Sequence, residues 1–274
     1  MISPVLRDVR VHPVKALAAY PVGEAAVEPW GLGGDRRWML IDAGARVVTQ
    51  RQEPRLAQLS AQPLPGGGVR LSAPGSAPLT VRVPDPARTE VAELFTGKVE
   101  VVEAAEAAHA WFGARLGAEV RLVHLDAPSH RRHIDPAFAR PGETVSLADG
   151  FPLLLTTCAS LDTLNSLIAR GEHPQEGPLP MDRFRPNVVV DGTAPWVEDT
   201  WKRIAIGEVA FRVVKPSGRC VVTTTDQRTA RRGREPLHTL ARHRRSGKRL
   251  LFGHNLIPDG TGVIRVGDPV RVLA

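Results

Sequence analysis

Cys220 closes the run Lys215-Pro216-Ser217-Gly218-Arg219-Cys220 and leads into Val221-Val222-Thr223-Thr224-Thr225-Asp226. A guanidinium beside a thiol favours the thiolate, the form that binds metals or attacks electrophiles. A cysteine in an apolar neighbourhood is equally a small buried hydrophobe, and the spacing alone leaves both readings open. Upstream, residues 203–214 read as two short strands around a Gly207-Glu208 turn. Gly218 permits a tight turn, so Cys220 is expected where a further strand begins.

Three more polar clusters have chemistry to offer. Asp182-Arg183-Phe184-Arg185-Pro186-Asn187 precedes the apolar run Val188-Val189-Val190. Two arginines and an asparagine ahead of a buried strand suit an anion, because the guanidinium forks around phosphate or carboxylate; pairing with Asp182 or Asp199 is the plainer alternative. Leu155-Thr156-Thr157-Cys158-Ala159-Ser160 runs into a helix expected over 161–170, with Ser160 as N-cap and Gly171 as the stop. Free amides and hydroxyls there suit a phosphate, or serve only as a cap. The third cluster comprises Lys15, then Gly34-Asp35-Arg36-Arg37-Trp38, then Thr49-Gln50-Arg51-Gln52-Glu53-Pro54-Arg55. His130-Arg131-Arg132-His133 has helical spacing for a metal pair but no third ligand at suitable spacing, so a surface loop is expected. Gly31-Leu32-Gly33-Gly34 lacks the dinucleotide-binding spacing and a βαβ setting.

The elements that must position these residues are mostly strands. Short, partly alternating apolar runs fill the first hundred residues, with turns at Asp42-Ala43-Gly44-Ala45 and Pro65-Gly66-Gly67-Gly68, as in a small barrel or sandwich. Helices are expected over 103–116, 161–170 and 235–245, and a last strand over 262–273. A boundary near residue 118 divides the chain into 1–118 and 119–274. With 42% hydrophobic and 24% charged residues the 274-residue chain suits a soluble globular fold. No apolar stretch of membrane-spanning length occurs, and residues 1–8 lack a secretory pattern, so a cytoplasmic protein without a membrane span is expected. Two cysteines imply neither a disulfide framework nor a four-cysteine iron–sulfur cluster, so electrons for any redox chemistry must come from outside. The net charge of +7 comes largely from Arg228, Arg231, Arg232, Arg234 and the basic residues 242–249. No aromatic interleaving or nucleic-acid motif accompanies them, which argues against a nucleic-acid partner and for a docking face toward an acidic one.

In order and coverage, these stretches resemble the MOSC family, and within it the amidoxime-reducing-component branch with a MOSC N-terminal β-barrel domain. The resemblance rests on His12-Pro13-Val14-Lys15, Asp35-Arg36-Arg37-Trp38, Thr49 to Leu56, Ser160-Leu161-Asp162-Thr163-Leu164-Asn165, Arg183-Phe184-Arg185-Pro186-Asn187, Glu198-Asp199-Thr200-Trp201, Arg219-Cys220-Val221-Val222-Thr223-Thr224, Glu235-Pro236-Leu237 and Gly267-Asp268-Pro269-Val270. It implies a mainly β fold with some α (α+β): an N-terminal β-barrel-like domain, then a MOSC β-barrel domain with flanking helices. It implies a molybdenum–pterin cofactor, with no need of pyridoxal phosphate. Cys220 would ligate the metal as the catalytic residue, and Lys15, Arg36, Thr157, Arg183, Arg185, Asn187 and Arg219 would hold phosphate and pterin. Ala16 departs from the pattern, since relatives commonly carry a hydroxyl there; Ser217 stands where some carry a cysteine. The implied activity is reduction of N-hydroxylated small molecules with electrons from a separate ferredoxin, flavodoxin or cytochrome-type donor, Asp226 or a water supplying protons. A cofactor carrier or a sulfur-transfer module with a persulfide on Cys220 is the alternative.

Overall fold

The computed structural model describes residues 3–87 and 89–274. Strand makes up 38% of it and helix 21%, the mainly β, α+β class expected. The largest sheet runs in the order Tyr20–Val22, Val5–Val11, Val188–Asp191, Leu153–Thr157, Arg249–Pro258, Val209–Gly218, Arg203–Ile206, Val270–Val272, with Arg245–Ser246 paired to the side. Leu153–Thr157 and Val188–Asp191 are parallel; the other neighbours are antiparallel. The ends of this sheet meet. Val5 bridges Pro269, and the Val270 N–H donates to the Pro4 carbonyl at 2.8 Å, closing the strands into a barrel. Its interior is apolar, with Leu155, Val190, Phe211 and Leu256 fully buried. A five-stranded sheet, Thr89–Leu94, Gly97–Glu103, Val120–His124, Trp38–Asp42, Val47–Val48, carries the second core, and two three-stranded sheets complete the molecule.

Among the described residues four α-helices flank the sheets, α1 (Glu106–Leu116), α2 (Pro128–Arg131), α3 (Cys158–Ala169) and α4 (Leu237–His243), beside several short 3-10 turns. Four boundaries differ from expectation, the first being α4, which spans Leu237–His243 within the expected 235–245. Residues 103–105 do not join α1, because Glu103 is committed to the preceding strand. The cap of α3 is Thr157, whose hydroxyl accepts the Ser160 N–H, so the helix opens at Cys158. Residues 262–273 form two strands, since Gly267 takes φ +96° in a turn between Gly262–Arg265 and Val270–Val272. The Arg203–Ile206 and Val209–Gly218 hairpin forms about Gly207 as read, with Ile206 facing Val209. Among the described residues no helix is long and apolar enough to cross a membrane.

Candidate functional site

Cys220 lies just beyond the end of the Val209–Gly218 strand, not at the start of another. Its backbone is extended, and its carbonyl accepts both the N–H and the hydroxyl of Thr223, at 3.0 and 2.8 Å, opening the single turn Val221–Thr224. The expected strand start fails because the Thr223 and Thr224 hydroxyls donate back to the Cys220 and Val221 carbonyls and close a tight turn there. The thiol is half-buried and faces a cavity of about 1040 Å³ between the two cores. Arg51 donates to its sulfur at 3.4 Å and lies over the Phe95 ring at 4.3 Å.

The cavity wall is strongly cationic. Lys15, Arg36, Arg51, Lys98, Arg131, Arg132, Arg185, Lys215, Arg219 and Arg249 line it against two carboxylates, Asp135 and Asp149. Such an excess, partly withdrawn from water, favours a polyanionic occupant. Lys15 reaches in from the segment after the first strand, donating to the Leu147 carbonyl at 2.8 Å and to Asp149 at 2.5 Å. Burial lowers the Lys15 ammonium, while Asp149 opposes the shift. Lys15 above all, with Arg51 and Arg36 behind it, holds the Asp149 carboxyl well below the usual carboxylate range. Asp149 is 69% exposed, but that exposure is to the cation-lined cavity, so its ionised form is secure. Arg36, at φ +49°, donates to Asp35 at 2.5 Å, to the Asn187 side chain at 3.1 Å and to the Arg185 carbonyl at 3.3 Å. Arg185 occupies the left-handed region, which turns it out of the Met181–Phe184 turn into the cavity. Burial first, and Arg36 second, bring its guanidinium down to about 9. Arg219, anchored to Ser217 Oγ at 2.9 Å and to the Phe184 carbonyl at 2.6 Å, is brought down to about 10 by burial. Arg185 Nη1 and Arg219 Nε are shielded from solvent with no protein partner. Unpaired buried donors of this kind mark a place for an acceptor.

Six of the residues singled out from sequence thus share one cavity: Lys15, Arg36, Arg185, Asn187, Arg219 and Cys220. Two do not reach it. Thr157 is fully buried at the cap of α3, sharing its hydroxyl with Ser160 and Glu198. Arg183 donates to the Thr224 carbonyl at 3.0 Å and to Asp226 at 3.2 Å, bracing the Val221–Thr224 turn from behind. That pairing also corrects the expectation of Asp226 as a proton source beside Cys220: its carboxylate is taken by Arg183, Arg228 and Thr229 and is absent from the cavity wall. Arg132 stands in a stretch expected to be a surface loop. It lines the cavity and donates to the carbonyls of Ser146, Ala148 and Asp149 and to Thr96. Asp149 gives no sequence signal, since an isolated charge next to a glycine looks like any surface position, and Lys215 opens the Cys220 run without a role of its own there.

Comparisons with known proteins give the family. Residues 142–271 match the family model described as MOSC domain, and residues 3–119 that described as MOSC N-terminal beta barrel domain. The chain is 33% identical over 282 residues to mitochondrial amidoxime-reducing component 1 of Homo sapiens, covering 96% of this chain and 81% of that protein. It is 32% identical over 278 residues to mitochondrial amidoxime reducing component 2 of Homo sapiens, covering 95% and 81%. A molybdenum cofactor sulfurase of Danio rerio is 32% identical over 266 residues, which span 90% of this chain but 31% of that protein.

Proposed function

Because the chain belongs to the MOSC family, in the branch where a MOSC N-terminal β-barrel domain precedes the MOSC domain, we propose that its cavity holds a molybdenum–pterin cofactor and that the protein reduces N-hydroxylated compounds. The observation that carries this reading is a thiol on the wall of a cavity with ten cationic side chains and two carboxylates. The residues present fit the group. A soft thiolate suits a sulfur-rich molybdenum shell, and the unpartnered Arg185 and Arg219 nitrogens suit a phosphorylated pterin. Bound there, the cofactor would supply a two-electron centre able to take oxygen from an N–O bond. Cys220 would hold the metal, and Lys15, Arg36, Arg185 and Arg219 the pterin and its phosphate. Asn187 keeps Arg36 in place, Arg183 fixes the turn that presents Cys220, and Arg51 holds the sulfur toward the cavity.

The overall change is R–NH–OH plus two electrons and two protons to R–NH2 plus water. Hydroxylamines, amidoximes and N-hydroxylated bases all fit that stoichiometry. The electrons come from a separate ferredoxin, flavodoxin or cytochrome-type protein, docking on the basic residues 228–249. The test is molybdenum and pterin analysis of protein made in a cofactor-producing host, wild type beside Cys220→Ala. Near-stoichiometric metal lost in the variant supports the reading; a folded wild type with neither metal nor pterin overturns it. The similarity to a cofactor sulfurase favours a second reading, a cofactor carrier or sulfur-transfer module with a persulfide on Cys220. Metal retained in the variant with loss of a persulfide would select it.

A further inference from the structure

A second constellation lies outside the cavity, between α3 and α4. Glu172 and His173 follow the end of α3, and His238 is the second residue of α4. One ligand atom from each lies within 4.8 Å of the other two. The imidazoles meet edge to face at 4.9 Å. Nε2 of both histidines is shielded from solvent and makes no hydrogen bond. His238 Nε2 stands 3.4 Å from Glu172 Oε2, close to the ligand–ligand separation of about 3.4 Å that tetrahedral zinc with bonds near 2.0–2.1 Å requires. Arg242 donates to the other oxygen, Oε1, at 2.5 Å and leaves Oε2 available. The backbone is already held in place: Glu176 accepts the N–H groups of Arg234 and Glu235, tying the segment after α3 to the approach to α4.

An ion pair between Glu172 and a protonated His238 accounts for one contact but leaves His173 Nε2 without a partner. A bound cation satisfies all three groups at once. We propose that Glu172, His173 and His238 bind a divalent transition metal, zinc by the nature of the ligands, with water completing the shell. Two imidazoles and one carboxylate are a borderline donor set that zinc accepts and that magnesium and calcium do not. The ion would clip the segment after α3 to the first turn of α4. None of the three residues lines the cationic cavity, so the site stands independently of the cofactor reading.

The experiment is calorimetric titration of the chelator-treated full chain with zinc chloride, paralleled by cobalt(II) absorption. One ion per chain is expected, with cobalt bands lacking thiolate charge transfer. His173→Gln and His238→Gln should each weaken binding at least about tenfold, a first ligand being worth no less than the supporting groups around one. Glu172→Gln, at a 57% exposed side chain, should weaken it as well, with an unchanged circular-dichroism spectrum checking its fold. Arg242→Ala should tighten binding severalfold, because it removes a cation beside the dication and releases the second carboxylate oxygen. Zinc affinity unchanged in the histidine variants, a thiolate band that places the metal on Cys158 or Cys220, or no binding of added zinc would each overturn the site.

Discussion

His124 should make the protein acid-sensitive by an amount that can be worked out in advance. It ends the Val120–His124 strand, 4% exposed, opposite Trp38, with ring centroids 4.4 Å apart and no hydrogen-bond partner at Nδ1. Burial, and then the neighbouring Arg37 charge, lower its imidazole from 6.5 to about 3. The folded protein therefore keeps His124 neutral, while the unfolded chain takes up a proton below pH 6.5. Between these values the unfolded state binds more protons, so stability rises with pH and is lost on acidification. At pH 5 the deficit is 1.5 pH units at about 1.36 kcal/mol each, or about 2 kcal/mol from this one side chain. His124→Phe keeps an aromatic ring against Trp38 and removes the titration. Urea unfolding at pH 7 and pH 5 should show wild type losing about 2 kcal/mol more than the variant. His12, also held neutral by burial with Arg36 and Arg185 nearby, is common to both proteins and cancels. Equal losses in the two would refute the assignment of a neutral, desolvated imidazole at position 124.

Asp149→Asn leaves Lys15 with only the Leu147 carbonyl and Arg51 without a carboxylate. The free protein should lose ~1–2 kcal/mol at low salt, the partial exposure of the pair discounting the larger cost of breaking a buried one. Pyrophosphate should raise the melting temperature of the variant more than that of wild type; identical melts with and without it would count against a polyanion site. Gly253→Ala is expected to cost at least ~2 kcal/mol in urea unfolding. The position has φ +76°, and an added Cβ would come 2.5 Å from the Leu155 carbonyl oxygen. A neutral result would contradict the pairing of Arg249–Pro258 with Leu153–Thr157. Raising ionic strength should slow stopped-flow electron transfer from an acidic donor, and a rate independent of salt would remove the 228–249 face as its dock.

Local chemistry made part of this molecule legible from the chain. The Gly207 hairpin, the Asp42–Arg46 turn and the stop of α1 at Gly117 follow from residues a few positions apart. The family resemblance supplied Lys15, Arg36, Arg185, Asn187, Arg219 and Cys220 as a set, and the fold brings them to one cavity. What stayed hidden depends on distant partners. Arg132 looked like surface charge because the carbonyls it holds, from Ser146 to Asp149, are near only after folding. Thr157 and Arg183 have the right types for an anion, but Glu198 and Asp226 claim them from 41 and 43 residues away. The Glu172, His173 and His238 group is hidden for the same reason: its third member is brought from α4, far along the chain, whereas His130 and His133 advertise a pair at helical spacing.

The barrel closes on a strand from the far end of the sequence. Val5–Val11 needs Val188–Asp191 beside it, and Glu24–Glu28 needs Gly262–Arg265. A ribosome delivers these partners in the wrong order. The first strand can pair at once with Tyr20–Val22, but its other edge emerges roughly 180 residues before Val188–Asp191, which at about 5–20 residues per second leaves that edge open for some ten to forty seconds. An exposed strand edge over that interval is a template for pairing with other nascent chains. Recombinant yield should therefore respond to translation speed and chaperone supply more than the stability of the finished protein would suggest. Circular permutation that begins the chain between Gly117 and Val120 would move the first strands downstream of Val188–Asp191, shortening their wait.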